Sequence, residues 1–407
     1  MDLVILAAGK GTRLWPITNH YPKSMIRVLG KPLIEWIITP FYSKVEKIVI
    51  VVGVQKEKVI DYFSSSQFKE KIVFVEQKEQ KGTGHALLQA ESEVSGDFFV
   101  VNGDNFFDPI IFEKIFYQSR QGFFLAGKKV KDVSAFGAIV SENELLKKIV
   151  EKGSSGEGLI NTNLAFLPKT FFNSLKKTGL SPRGEIELTD AFNSFASENT
   201  LKIMELADYW NDVGFYWNYL EVNSFACEKM LKNEIRGQVE EGVIVKGKVF
   251  IGEGTLVKAP CRIEGPAYIG KNSVIGPHAF IRKNSYIEDE CHVGSSEVKD
   301  SIVMSYSNAA HFSYVGDSVV CEDVNFGAGA KTANLRFDGK TIIVKINGKE
   351  YDTGRKKLGP VIGANTKLGV DVCISCGKIV GSDVKIYPNV FVKENVLDNE
   401  VLRGEFV

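Results

Sequence analysis

Five cations, Lys10, Arg13, Lys23, Arg27 and Lys31, stand in the first 31 residues against one acid, Asp2. They surround a glycine-bearing turn, Ala7-Ala8-Gly9-Lys10-Gly11-Thr12-Arg13-Leu14, that follows directly on the apolar run at 3–6. Glycine in such a turn lets backbone N–H groups approach phosphate oxygens without interference from a Cβ. The positive charge exceeds what an ordinary strand-to-helix turn needs, and a triphosphate would use it. Leu14 replaces the third glycine of GxGxxG and no GxxxxGK[ST] occurs, so neither a dinucleotide fingerprint nor a Walker loop fits. Asp104, at the end of another apolar run, is of the type that joins Mg²⁺ to phosphate oxygens, although an aspartate at a strand end alone is more often a helix cap. In the second half, His311 is one of only five histidines. Its imidazole titrates near neutrality and could act as a general base, where a lone histidine is more often structural.

These residues need elements to place them. Short β-branched runs at 3–6, 47–52, 71–76 and 97–102 read as strands, alternating with amphipathic helices at 32–43, 55–63 and 84–94. That alternation predicts an α/β domain with an open, mainly parallel, doubly wound Rossmann-like sheet, whose ligands lie at the carboxyl ends of the strands. A connecting helix is expected at 216–232, with domains of 1–228 and 229–407.

Beyond it the pattern changes to a six-residue period. Ile251, Val257, Ile263, Ile269, Ile275, Ile281, Ile287 and Val293 share one register, and Ile362, Leu368, Ile374, Val380, Ile386 and Val392 form a second run. Each hexapeptide supplies one short strand and one inward aliphatic, and stacked coils bury an apolar column that no single repeat could bury. The expectation is a parallel β-helix of hexapeptide repeats. It is interrupted at about 331–357, where 341–346 and 349–353 read as a hairpin closed by Asn347-Gly348. The interruption carries eight Lys or Arg against three acids, which tips the reading from solvated decoration toward a binding loop.

Across 407 residues Lys+Arg and Asp+Glu both number 50, so no net field favours nucleic acid or an anionic membrane and phosphate recognition must be local. With no run of about 18 apolar residues, a cytoplasmic protein is expected. All six cysteines lie at or after Cys227 and only Cys373 and Cys376 form a CxxC. Buried reduced thiols fit better than zinc or a disulfide.

The run from Leu6 to Leu14, followed by Pro22-Lys23, Gln77-Lys78-Glu79-Gln80-Lys81-Gly82-Thr83-Gly84, Asn102-Gly103-Asp104 and Trp210-Asn211-Asp212-Val213-Gly214, resembles the signature of sugar-1-phosphate nucleotidylyltransferases. The resemblance implies that Leu6, Ala8, Gly9, Gly11, Thr12 and Arg13 embrace a triphosphate and that Lys23 neutralises the reacting phosphates. It further implies that Gln77, Gly82 and Thr83 read a pyrimidine, so that UTP or dTTP is the donor, and that Asp104 and Asp212 hold Mg²⁺. Gly137, Glu151 with Lys152, and Asn161 match sugar-binding positions. The family usually has glycine two residues after this asparagine; here Asn163 stands there, a residue that tolerates a left-handed backbone.

The stretch around Ala310-His311-Phe312-Ser313-Tyr314 resembles the acetyltransferase half of bifunctional glucosamine-1-phosphate acetyltransferase/N-acetylglucosamine-1-phosphate uridyltransferases, archaeal relatives included. That resemblance implies a left-handed β-helix, a homotrimer, acetyl-CoA as co-substrate and His311 as the base. Arg282 and Lys299 would hold the sugar phosphate, and Tyr314, Asn325, Asn334 and Lys340 would surround the amino sugar. The segment from Val293 to Lys299 is one residue shorter than in relatives. Arg355-Lys356-Lys357 could meet coenzyme A phosphates. Glucosamine- or galactosamine-1-phosphate could be the acceptor. Two alternatives remain: a nucleotidyltransferase whose β-helix serves assembly or regulation, and a non-catalytic subunit like those of the translation-initiation exchange factor, which would lack the phosphate loop or metal carboxylates.

Overall fold

A computed structural model describes residues 1–151 and 155–404. The chain divides into two compact units: one of Met1–Lys10, Tyr21–Ile26 and Lys31–Val213, the other of Gly11–His20, Arg27–Gly30 and Gly214–Val407. The glycine turn is thus split, its second part clustering with the C-terminal half of the chain.

In the first unit, strands Ile72–Glu76, Ile48–Val52, Asp2–Ala7 and Phe98–Asn102 lie side by side, all parallel. Side chains alternate across a strand, so both faces of these runs are apolar. Leu3, Ile5, Ile48 and Ile50 face helices Leu33–Phe41 and Ile111–Ser119, while Val4, Leu6, Val49 and Val51 face Thr83–Gln89, Phe171–Lys177 and Leu188–Glu198. Helices on both faces make the sheet doubly wound. It is less parallel than expected. Gly158–Leu167 joins antiparallel to Phe98–Asn102 and to Phe124–Val130, and Leu145–Glu151 runs antiparallel to Gly137–Glu142. Hairpin neighbours can pair this way without a crossover helix. The expected helix at 84–94 ends at Gln89.

The second unit begins with segments of the N-terminal loops and helix Tyr216–Lys229, and its bulk is the parallel β-helix. One ladder pairs Ile251 with Ile269, Ile287, Val303, Val320, Ile362 and Val380 in turn. All fourteen aliphatics of the two hexad runs fall in a single buried cluster, which is the column that the period predicts. Asn272, His278, Asn284, Glu290, Asn365, Asp371, Asp383 and Asn389 hold positive φ at its corners, a conformation that short polar side chains tolerate best. The insertion forms the antiparallel hairpin Ile343–Ile346 and Lys349–Asp352. Ile342, Val344 and Ile346 are buried, so one face of it packs rather than standing free in solvent.

Candidate functional site

Three residues of the first unit converge. Asp104 ends the turn after Phe98–Asn102, and the ribbon of Asn105–Phe107 with Trp210–Asp212 pairs Asp212 with Asn105, which sets the two aspartates side by side. The Lys23 ammonium lies between them, 3.0 Å from Asp212 Oδ1 and in contact with Asp104 Oδ2. Burial works against the Lys23 charge, but Asp104 and Asp212 outweigh it and hold the ammonium above the ordinary lysine value. Burial pushes the Asp104 carboxyl up. Its Oδ1 is buried and has no hydrogen-bond partner among the described residues. An orphaned carboxylate oxygen beside a second carboxylate suits a divalent cation, which needs few protein ligands when phosphates supply the rest. Among the described residues no three His, Cys, Asp or Glu converge.

Leu6 and Ala8 are buried at the strand end, and Gly53 comes so close that a Cβ there would meet the Ala8 carbonyl at 2.6 Å. A Cβ on Gly9 would meet nothing within 4 Å: packing does not demand this glycine, and the open space suits a ligand. Gln77, buried at the end of Ile72–Glu76, donates its amide to the Gly82 carbonyl at 3.1 Å and sits 2.9 Å from His85 Nδ1. Gly82 has φ +98, with the Ile186 carbonyl 2.5 Å from where a Cβ would lie, so only glycine fits. Thr83 Oγ1 accepts from Leu188 N–H.

At the sugar-binding positions, Gly137 pairs with Glu151 across two strands, and Thr189 donates to Glu151 Oε1 at 2.7 Å. Lys152 lies outside the described residues. Asn163 takes φ +57 at an irregularity in the strand, so asparagine does fill the left-handed position. Its Oδ1 accepts from Asn161 Nδ2 at 2.8 Å, which occupies one hand of the Asn161 amide.

Gly11, Thr12 and Arg13 belong to the second unit. Gly11 has φ +63, and its carbonyl accepts from Leu14 N–H and from Thr18 Oγ1. The Arg13 guanidinium lies 4.9 Å over the Phe215 ring.

On the β-helix, Asn334 donates to Tyr314 Oη at 3.1 Å and to Asp317 Oδ2 at 2.6 Å, and Lys299 Nζ meets Asp317 at 3.0 Å and Asp300 at 2.8 Å. Burial opposes the Lys299 charge and the two carboxylates win, raising its pKa. Arg282 pairs with Glu297 at 2.7 Å, and that hydrogen bond raises its pKa. The structure therefore gathers Lys299, Tyr314 and Asn334 around Asp317. His311 is exposed on Asn308–Gly316, and with burial and Lys258 it lowers the pKa of nearby His292. No hydrogen bond or ion pair among the described residues joins His311, Asn325 or the Lys340 ammonium to the Asp317 cluster. Sequence reasoning missed Glu297 and Asp317. The coil repeat was the available signal, since Lys299 and Asp317 stand 18 residues apart and so occupy neighbouring coils.

The fold is that of a nucleotidyltransferase: residues 3–229 match the Nucleotidyl transferase family, and the chain belongs to it. A structure of UDP-glucose pyrophosphorylase complexed with UDP-glucose is similar over 56% of this chain and 99% of its own, with 28% identity and a TM-score of 0.50. Along its full length the chain also belongs to the family of the bifunctional protein GlmU. It is 41% identical to that of Methanococcus vannielii over 97% of this chain and 96% of the relative. It is 39% identical to a bifunctional sugar-1-phosphate nucleotidylyltransferase/acetyltransferase of Sulfurisphaera tokodaii, over 97% and 98%.

Proposed function

We propose that the chain carries two transferase activities, one in residues 1–228 and one in residues 229–407. The observation that carries the first is Lys23 held between Asp104 and Asp212, with one buried carboxylate oxygen that has no hydrogen-bond partner among the described residues. A sugar-1-phosphate oxygen attacks the α-phosphorus of UTP or dTTP in line, and pyrophosphate leaves. The attacking phosphate is already anionic, so no side-chain nucleophile or base is needed, and catalysis is alignment and charge neutralisation. Lys23 and Arg13 supply positive charge, and the backbone at Leu6, Ala8, Gly9, Gly11 and Thr12 receives the triphosphate. Asp104 and Asp212 would hold Mg²⁺, which when bound shields charge on the phosphate oxygens. Gln77 has spent its amide nitrogen on Gly82 and presents its oxygen to a pyrimidine N–H, with Gly82 and Thr83 completing the base site. Gly137, Glu151 and Asn161 receive the hydroxyls of N-acetylglucosamine-1-phosphate or glucose-1-phosphate.

In the second reaction the amine of glucosamine-1-phosphate, or its galactosamine counterpart, attacks the acetyl-CoA thioester. The C–N bond forms, the C–S bond breaks with coenzyme A leaving as its thiolate, and His311 takes the amine proton. Tyr314, Asn325, Asn334 and Lys340 orient the sugar, and its phosphate competes with Glu297 and Asp317 for Arg282 and Lys299. We further propose a cytoplasmic homotrimer. Support for the compartment comes from six free cysteines and from the lack, among the described residues, of a helix long and apolar enough to cross a membrane.

The test is a substrate panel: each triphosphate against each sugar-1-phosphate, read by pyrophosphate, and acetyl-CoA with each amino-sugar-1-phosphate, read by thiol release. Pyrophosphate from UTP or dTTP and thiol from at least one acceptor are expected. No pyrophosphate from any pair would refute the first activity, and no thiol the second. Sedimentation at three times the mass of one chain checks the trimer.

A further inference from the structure

The loop bearing Gly11, Thr12 and Arg13 is built into the same compact unit as the last coils of the β-helix. Asp398, in the turn after the bridge of Val380 with Val396, fastens it. The Asp398 carboxylate accepts from the Trp15 indole N–H at 3.0 Å, from Asn19 Nδ2 at 3.0 Å and from Ser382 N–H at 2.7 Å. Asn19 Nδ2 also meets Ser382 Oγ at 3.1 Å. A turn between coils needs only the Ser382 bond. The other two donors come from more than 350 residues away, out of the segment that follows the glycine turn.

A second fastening lies two residues before Trp15. Arg13 rests on Phe215, which stacks on Trp217 at 4.4 Å and leans on Tyr351 of the hairpin at 4.9 Å. The single turn Thr12–Leu14 carries one anchor at Arg13 and runs directly into the other at Trp15, and it is closed by Leu14 N–H on the Gly11 carbonyl. A turn of three residues has too few hydrogen bonds to hold itself in water. Its shape, and so the direction of the Arg13 side chain and of the Gly11–Thr12 N–H groups, depends on what grips it. A loop gripped beforehand loses less conformational freedom when it closes on a triphosphate.

We infer that Asp398 is a positioning residue for nucleotidyl transfer: through Trp15 it holds the Arg13 loop, so that the last β-helix coil sets the triphosphate affinity. This rests on the transferase reading above. The expected effect falls on KM rather than on the chemical step, because Asp398 touches neither substrate nor reacting atoms.

The experiment compares the wild-type chain with Asp398→Ala, Asp398→Asn, Trp15→Phe and the Asp398→Ala/Trp15→Phe double variant. Steady-state constants are measured for pyrophosphate release with UTP or dTTP, whichever the wild type uses, and for thiol release from acetyl-CoA. Asp398→Ala and Trp15→Phe each raise the triphosphate KM about tenfold. The double variant goes no further, and Asp398→Asn, which keeps an acceptor oxygen, recovers part of the loss. Thiol release stays within about twofold of wild type, as it would not if the coil had merely come apart. An unchanged triphosphate KM overturns the inference, as do additive losses or a parallel fall in both activities. A wild-type chain that releases thiol but no pyrophosphate overturns the transferase reading, and the inference with it.

Discussion

Replacing Lys23 by Met removes the cation between Asp104 and Asp212 while keeping much of its volume. The Lys23 side chain is 14% exposed, Asp104 22% and Asp212 31%. At the 3.0 Å that separates Lys23 from Asp212 and an effective dielectric constant of about 20, that ion pair is worth roughly 5 kcal/mol before desolvation. Breaking a buried pair leaves a net cost of about 3–5 kcal/mol, and the partial exposure of Asp212 places this variant near the lower end. Two carboxylates left without a counter-ion should then attract a divalent cation more strongly than in wild type, where the ammonium competes. Thermal unfolding with and without millimolar Mg²⁺ checks both consequences: Lys23→Met melts lower in chelator and gains more from Mg²⁺ than wild type does. Pyrophosphate release falls by about 100-fold or more, because the charge is also missing from the reacting phosphates. A variant as stable as wild type and indifferent to Mg²⁺ would refute the assignment of Lys23 as the counter-ion of this pair.

Burial pushes Glu288 up to about 7 from an ordinary 4.5, although it accepts from Ser305 N–H and Oγ. The folded chain therefore holds a proton there that the unfolded chain has lost, and stability declines by about 3 kcal/mol as pH rises from 4.5 through 7. Denaturant titrations of Glu288→Gln should lose that decline and show greater stability at pH 8; identical pH profiles would sink the reasoning. Ile281 is fully buried in the aliphatic column, and Ile281→Ala should cost about 2–5 kcal/mol in the same titration, where a cost under 1 would mean that the column does not carry the fold. Asn163→Gly keeps the φ of +57 at no steric cost and frees Asn161 Nδ2, while the backbone N–H at 163 still donates to Asn161 Oδ1. The KM for sugar-1-phosphate should shift while melting stays within about 2 °C of wild type, and an unchanged KM for every sugar tested would exclude Asn161 from the site.

The column was legible because each coil repeats one inward aliphatic at a fixed interval. The count stopped at Val293 because the intervals to Val298 and Val303 are five, not six, although both residues lie in the same buried cluster. Asn347-Gly348 announced its hairpin, since that turn chemistry is local. The antiparallel strands Gly137–Glu142 and Leu145–Glu151 were not read, because their burial depends on partners elsewhere in the sheet. The first site was legible as a set of motifs. The contact of Trp15 with Asp398, 383 residues apart, has no local signal at all, and the split of the glycine turn between two units was hidden for the same reason.

The two chemistries proposed for this chain are served by separate residues, a separation that single substitutions expose. The most direct measurement assays Asp104→Ala and His311→Ala for both products under identical conditions. Asp104→Ala should abolish pyrophosphate release and leave thiol release intact, and His311→Ala should do the reverse. Either variant losing both products, or neither, would contradict it.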